Sequence, residues 1–276
     1  IQGVAHAELS FQGALPYAQE RRSMRALSGK KEPEQVADAL IWHPDVRRML
    51  LTQKAIAEGG RAMIYGASKI ADKMFNAVTE GNQAAYKKYD DELGFYTPIL
   101  KGFLTEMGLE AANLGIQVFG GHGYIGEHGM EQIARDARIS TLYEGTTGIQ
   151  ALDLLGRKVL LGSKGKCVRD FSATILRLAK PYALQRTPMG QMMRTLARRT
   201  AQWNLLTTLI MLRASKDREQ VGSSSVDYLM YSGFVMMAYF WALQAAKAAE
   251  PLASGKGKES NEIYTAKIQT AQCYSP

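Results

Sequence analysis

The chain has 276 residues, of which 46% are hydrophobic and 22% charged, with 34 Lys+Arg against 26 Asp+Glu for a net charge of +8. These are the proportions of a soluble globular protein with enough chain for a sizeable core, and the basic excess suits an anionic ligand or a merely solvated surface. The two cysteines, Cys167 and Cys273, lie far apart without CxxC or His/Cys spacing. That argues against a structural zinc site and a disulfide framework, and it suits a reducing, cytoplasmic setting.

Helical periodicity dominates in chain order, with little strand signal. The first segment runs from Ile1 to about Leu27 and should bend at Pro16. A Lys/Glu/Gly/Pro loop covers Ser28 to Pro33. Val46 to about Val78 reads as one long helix started by Pro44 and Asp45, and a second runs from Thr97 to Phe119 with Pro98 in its first turn. GGHGYIGEHG then breaks the pattern, since five glycines in ten residues cannot form a stable helix interior. A short helix from Met130 to Ala137 leads into LYEGTT, and another runs from Gly148 to Leu161.

Gly162 to Lys166 is the best boundary candidate, dividing the chain into domains 1–162 and 163–276. Beyond it helices are predicted over Val168–Leu184, Gly190–Lys216, Val226–Ala249 and Glu259–Cys273. No apolar run reaches the roughly 20 residues of a membrane span; Phe234 to Ala249 carries Gln244 and Lys247 and reads as a buried helix. The first residue is not methionine, and both ends lie inside helical patterns, so the chain reads as a piece of a longer protein. The predicted fold is all-α, a helical bundle followed by a second helical bundle.

The chemistry-bearing stretch is LYEGTTGIQALDLLG, Leu142 to Gly156. Gly145 permits backbone angles and close ligand approach that a side chain forbids. Thr146 or Thr147 can cap the next helix, whose free N–H groups favour negative charge. Glu144 would project just ahead of that helix, beside Leu142 and Tyr143, as a candidate base or simply as an acidic residue favoured at a helix start.

Three pieces then occur in order: Q-x-x-G-G-x-G-Y at Gln117–Tyr124, R-D-A at Arg135–Ala137, and Y-E-G-T at Tyr143–Thr146. With YAQERRSM at Tyr17–Met24, they give residues 1–161 a pattern that resembles the carboxy-terminal helical domain of the flavin-dependent acyl-CoA dehydrogenases. The part after Gly165 is similar to the added helical domain of the large bacterial members. The resemblance implies that Glu144 removes the α proton of an acyl-CoA thioester while the β hydrogen passes as hydride to FAD, leaving an enoyl-CoA. It implies a role for the Glu144 backbone N–H in holding the enolate oxygen, and it puts Tyr143 and Gly145 against the substrate.

By the same resemblance, Arg21, Ser23, Gln117, Gly120 and Gly121 serve the pyrophosphate half of an FAD held mainly by a neighbouring subunit, and Thr146 touches the FAD of its own subunit. Electron-transfer flavoprotein or a similar acceptor and a homodimer or homotetramer are implied as partners. The chain departs from the pattern at Met24, His43-Pro44, Gly148 and Ala151. An acyl-CoA oxidase, a DNA-binding relative and a non-catalytic assembly module are the alternatives. The positive charge is spread without a Lys/Arg block or a reading motif, so no nucleic-acid site is expected.

His6, His43, His122 and His128 have no ligand spacing, so no metal is expected. His122 reads as an exposed turn residue. The run YLMYSGFVMMAYFW at Tyr228–Trp241 reads as helix packing, and Arg194, Arg198 and Arg199 as a solvated face.

Overall fold

The computed structural model describes residues 1–274. Among them the regular structure is helical, with one isolated antiparallel bridge between Arg22 and Ala39. The helices are α1 (Gln2–Glu20), α2 (Pro44–Thr79), α3 (Gln83–Phe119), α4 (Met130–Ser140), α5 (Thr147–Leu152), α6 (Lys166–Ala179), α7 (Pro188–Ala214), α8 (Glu219–Ser254) and α9 (Asn261–Tyr274). The all-α expectation holds.

Several boundaries differ from the periodicity, each for a local reason. α1 ends at Glu20, not near Leu27, because Arg21 turns into extended backbone and its carbonyl accepts from Leu40 N–H at 2.8 Å. α3 begins at Gln83, where Asn82 Oδ1 accepts from Ala85 N–H at 3.0 Å, so Pro98 lies inside the helix. Gly94 stands four residues before Pro98, where the proline ring presses on the preceding turn. The segment after α5 covers the expected span but is wound as a π-helix over Asp153–Gly162.

α8 starts at Glu219, ahead of the expected Val226. Its serines do not break it: Ser224 and Ser225 hydroxyls donate to the carbonyls of Gln220 and Gly222 in the preceding turn. At this greater length α8 is, by length and composition alone, long and apolar enough to cross a membrane, contrary to expectation. Most of its apolar window is buried, with Leu229, Met236, Met237 and Trp241 fully enclosed. It packs against α5, α7 and α9 as a core helix does.

The chain forms two compact units, one of residues 1–60 and 104–143, the other of 61–103 and 144 onward, so α2 and α3 each contribute to both. In the first unit the helices approach closely at small residues. A Cβ on Gly3 would stand 2.0 Å from the Leu104 carbonyl oxygen, and one on Gly108 2.4 Å from that of Gly3. The buried Ser10 hydroxyl lies 2.9 Å from both Gln53 Oε1 and the Ala111 carbonyl, which satisfies it without water. Ala14, Ala18, Met49, Leu50 and Val118 continue the core.

The second unit is more aromatic. Trp203 and Trp241 are fully buried, and Phe95 stacks on Trp203 with ring centroids 6.1 Å apart. Phe171 meets Trp203 edge-on, a geometry that ring quadrupoles favour. Thr207 and Tyr228 share a 2.7 Å hydrogen bond in this core. Burial drives the Tyr228 hydroxyl well above the usual tyrosine range. The run Tyr228–Trp241 is thus packing, as its pattern predicts.

Candidate functional site

Glu144 stands in the turn between α4 and α5. Glu144 has φ +56° and Gly145 φ +92°, two successive left-handed residues. The conformation is natural for glycine but costs a glutamate about 1–3 kcal/mol. Contacts around the turn offset that cost. Gln150 Nε2 donates to the Glu144 carbonyl at 3.3 Å, and Lys101 Nζ donates to the Gly145 carbonyl at 2.7 Å.

Thr146 Oγ1 accepts from Ile149 N–H at 3.4 Å and caps α5. A Cβ on Gly145 would lie 2.7 Å from Gln150 Nε2, so only glycine leaves this tie undisturbed. The backbone N–H of Glu144 has no acceptor among the described residues. The Glu144 carboxylate is exposed on this chain, and Thr146 is exposed too. Tyr143, half-buried, donates its hydroxyl to Gln2 in the first unit.

The other nominated residues belong to the first unit. Tyr17 near the end of α1 stacks on Phe119 at the end of α3, with centroids 3.9 Å apart and planes 16° apart. Its hydroxyl is 2.8 Å from His122 Nδ1. This pairing brings the segment carrying Arg21 and Ser23 to the same end of the unit as Gln117, Gly120 and Gly121. All five are exposed. Gly120 has φ +61°, and a Cβ on either glycine would meet nothing within 4 Å, which leaves the turn backbone open to a ligand. His122 is exposed but joined with Tyr17 and His128 in a ring cluster, not loose in solvent.

The segment after α1 distributes its charge unequally. Arg22 forms an ion pair with Glu32, which also accepts from Trp42 Nε1 at 3.0 Å. Arg25 pairs with Asp38 at 3.1 Å. Arg21 makes no ion pair among the described residues, so the adjacent arginines are not an equivalent solvated pair. His43, just before the Pro44 at which the chain departs from the family pattern, has Nε2 2.9 Å from the Ser23 carbonyl.

Periodicity and motifs missed Asp38, Lys101 and Gln150. Asp38 is fully buried, and its carboxylate accepts from the backbone N–H groups of Ala26, Lys31 and Glu32 at 2.9–3.0 Å. The bond from Ala26, with those from Lys31 and Arg25, holds its carboxyl below the usual range despite burial. A sequence signal existed for two of them: Asp38 sits in VADALIW and Lys101 in TPILKGFL, each a lone charge in an apolar run.

Elsewhere, Arg194 on α7 donates to the carbonyls of Ala183 and Gln185, closing the α6–α7 connection instead of offering a free charge. No group of three or more His, Cys, Asp or Glu able to hold a metal occurs among the described residues. A hollow of about 680 Å³ in the first unit is lined by His6, Gln12, His128, Met130 and Asp136 among others, and none of the nominated residues lines it.

Two family models match the chain. One, described as the C-terminal domain of acyl-CoA dehydrogenase, covers residues 18–160; the other, described as acetyl-CoA dehydrogenase C-terminal like, covers 168–275. The 3-methylmercaptopropionyl-CoA dehydrogenase of Ruegeria pomeroyi is 37% identical over 275 residues, covering all of this chain and 45% of that protein.

Among solved structures, an acyl-CoA dehydrogenase from Bacillus anthracis complexed with FAD aligns with TM-score 0.68 at 18% identity, over 99% of this chain and 45% of that one. Arabidopsis thaliana acyl-CoA oxidase 1 aligns with TM-score 0.68 at 12% identity, over 99% of this chain and 41% of that one. The chain belongs to the acyl-CoA dehydrogenase family, in its C-terminal helical part, and it spans about 45% of the length of the Ruegeria pomeroyi relative.

Proposed function

We propose that the chain supplies the base and part of the cofactor site of a flavoenzyme that introduces an α,β double bond into an acyl-CoA thioester. The observation that carries this reading is the turn around Glu144. A carboxylate stands there in a left-handed conformation, with its own carbonyl and that of Gly145 tied back and its backbone N–H left open. Bound FAD would accept the β hydrogen as hydride. The residues of this chain do the rest.

Glu144 takes the α proton onto a carboxylate oxygen. Its backbone N–H donates to the thioester oxygen as negative charge develops there, an interaction strongest in the transition state. Tyr143 and Gly145 flank the acyl group, glycine because the substrate must come close to the backbone. Lys101 and Gln150 keep the turn in register. Glu144 is exposed on this chain alone, so the reading requires the flavin, the thioester and the remaining length of the protein to remove water from it, and a poorly solvated carboxylate is a stronger base.

Arg21, Ser23, Gln117, Gly120 and Gly121 fit the pyrophosphate of FAD. A guanidinium with no ion pair among the described residues, a hydroxyl, an amide and an open glycine turn are the donors such an anion takes. Thr146 would contact the FAD of the same subunit. A homodimer or homotetramer follows from an FAD shared between subunits, and electron-transfer flavoprotein or a similar cytoplasmic acceptor would reoxidise it. The sequence domains 1–162 and 163–276 are proposed to divide these roles, the first carrying the chemistry and the second packing.

In the full-length enzyme, Glu144→Gln should lower kcat by about 10²–10⁴-fold with flavin content unchanged. Near-normal turnover in that variant, measured with a panel of acyl-CoA thioesters, would remove the proposed base. The shared fold of the oxidase supports a second reading in which oxygen is the acceptor. Stoichiometric peroxide release under substrate would select it.

A further inference from the structure

The 21–43 segment holds one carboxylate out of water and organises itself around it. The Asp38 side chain is 0% exposed, yet among the described residues Arg25 is its only ionic partner. An isolated buried carboxylate is very unfavourable, so it persists only where donors replace its hydration. Here the donors are three backbone N–H groups, from Ala26, Lys31 and Glu32, and the Arg25 guanidinium. Arg25 in turn donates to the carbonyls of Glu32 and Gln35. The loop from Ala26 to Gln35, which has no helix or sheet of its own, is thereby folded onto a single side chain.

The main chain of Asp38 points the other way along the segment. Its carbonyl accepts from Ser23 N–H at 3.1 Å, and its N–H donates to the Met24 carbonyl at 2.9 Å. Arg22 and Ala39 form the bridge beside it, and Leu40 N–H donates to the Arg21 carbonyl at 2.8 Å. Residues 21–24 are thus paired with 38–40, and the carboxylate locks the loop joining them. Met24 has φ +60°, an unfavourable conformation that these bonds help to hold. The ion pairs inside the loop absorb Arg22 and Arg25 and leave Arg21 uncommitted.

We propose that Asp38 is a positioning residue for the pyrophosphate subsite: its buried carboxylate fixes the 21–43 segment so that Arg21 and Ser23 are held toward the anion. The inference rests on the reading of Arg21 and Ser23 as FAD donors given above. Asp38→Asn tests it sharply. The amide is the same size but offers one acceptor oxygen in place of two, and its NH2 would face backbone N–H groups that also need acceptors.

The experiment titrates FAD into the flavin-free full-length protein, following flavin fluorescence, for wild type, Asp38→Asn, Arg21→Gln and the double variant. Asp38→Asn should raise the FAD dissociation constant by about tenfold or more, and the loss in the double variant should be smaller than the two single losses combined. Asp38→Glu, which keeps the charge, should recover part of the loss. Additive effects of the two substitutions overturn the proposal, because Asp38 would then act other than through Arg21. So does unchanged affinity in Asp38→Asn while Arg21→Gln binds weakly, an outcome that leaves the flavin reading standing.

Unchanged affinity in Arg21→Gln removes the flavin reading of Arg21 and the inference with it. Should Asp38→Asn not fold, Arg25→Gln removes one donor to the same carboxylate and must show a smaller loss that is likewise non-additive with Arg21→Gln. Full affinity there overturns the proposal.

Discussion

At the scale of single residues, two backbone conformations organise what this chain offers to chemistry. Glu144 and Met24 both hold φ near +60° without being glycine, and each is fixed by a neighbour that no motif identified. Gln150 and Lys101 tie the turn carrying Glu144, and Asp38 ties the segment carrying Met24. The Asp38 carboxyl is lowered chiefly by the Ala26 N–H, so the sign of its pH dependence is fixed. A group with a depressed folded value stabilises above the ordinary carboxylate value of about 4, and that contribution is lost as pH falls through the depressed value. Amide hydrogen exchange at Ala26, Lys31 and Glu32 should therefore show constant protection factors down to about pH 4. Below that they should fall together, while amides in the middle of α2 keep theirs. Protection at these three sites that persists to the lowest pH would show that the carboxylate charge does not hold the loop.

At the scale of elements, close helix contacts explain why the first unit uses so many small residues. Gly108 meets Gly3 backbone to backbone, and a methyl group there would stand 2.4 Å from the Gly3 carbonyl oxygen. Backbone cannot rotate aside as a side chain can, so α1 would have to move off α3. Gly108→Ala should cost about 1–3 kcal/mol in denaturant unfolding, well beyond the small gain that alanine brings to a free helix. Gly222 on α8 meets nothing within 4 Å and is the matched control, where the same change should be neutral or stabilising. Equal effects at both glycines would show that the contact is relieved at little cost. These boundaries were only partly legible. α1 and α3 deviate where an Arg21 carbonyl finds a distant partner and where an Asn82 cap lies far upstream of Pro98, and neither is visible to a periodicity of 3.6.

At the scale of the whole molecule, the exposed state of every nominated residue except the half-buried Tyr143 and Gly145 is informative. The proposed donors and the proposed base are presented outward, as expected if other parts of a longer protein and a neighbouring subunit complete the pocket. The 276-residue chain produced alone should then bind FAD weakly and reduce an artificial electron acceptor with acyl-CoA at a negligible rate, although circular dichroism should show it predominantly helical. A stoichiometric flavin spectrum with turnover from this chain alone would contradict that expectation. Binding of that quality would need a pocket closed by these residues alone.

The sequence by itself determined the helical class, the family and the identity of Glu144 as the residue to question, because helix periodicity and short motif spacing are local properties that survive without a fold. The spending of Arg22 and Arg25 within their own loop and the roles of Asp38 and Lys101 were decided only in three dimensions. Each depends on a partner 6 to 44 residues away. A lone charge in an apolar run announces that it must find a partner, since burying it unpaired is too unfavourable. Which partner it finds is a matter of where the chain returns in space.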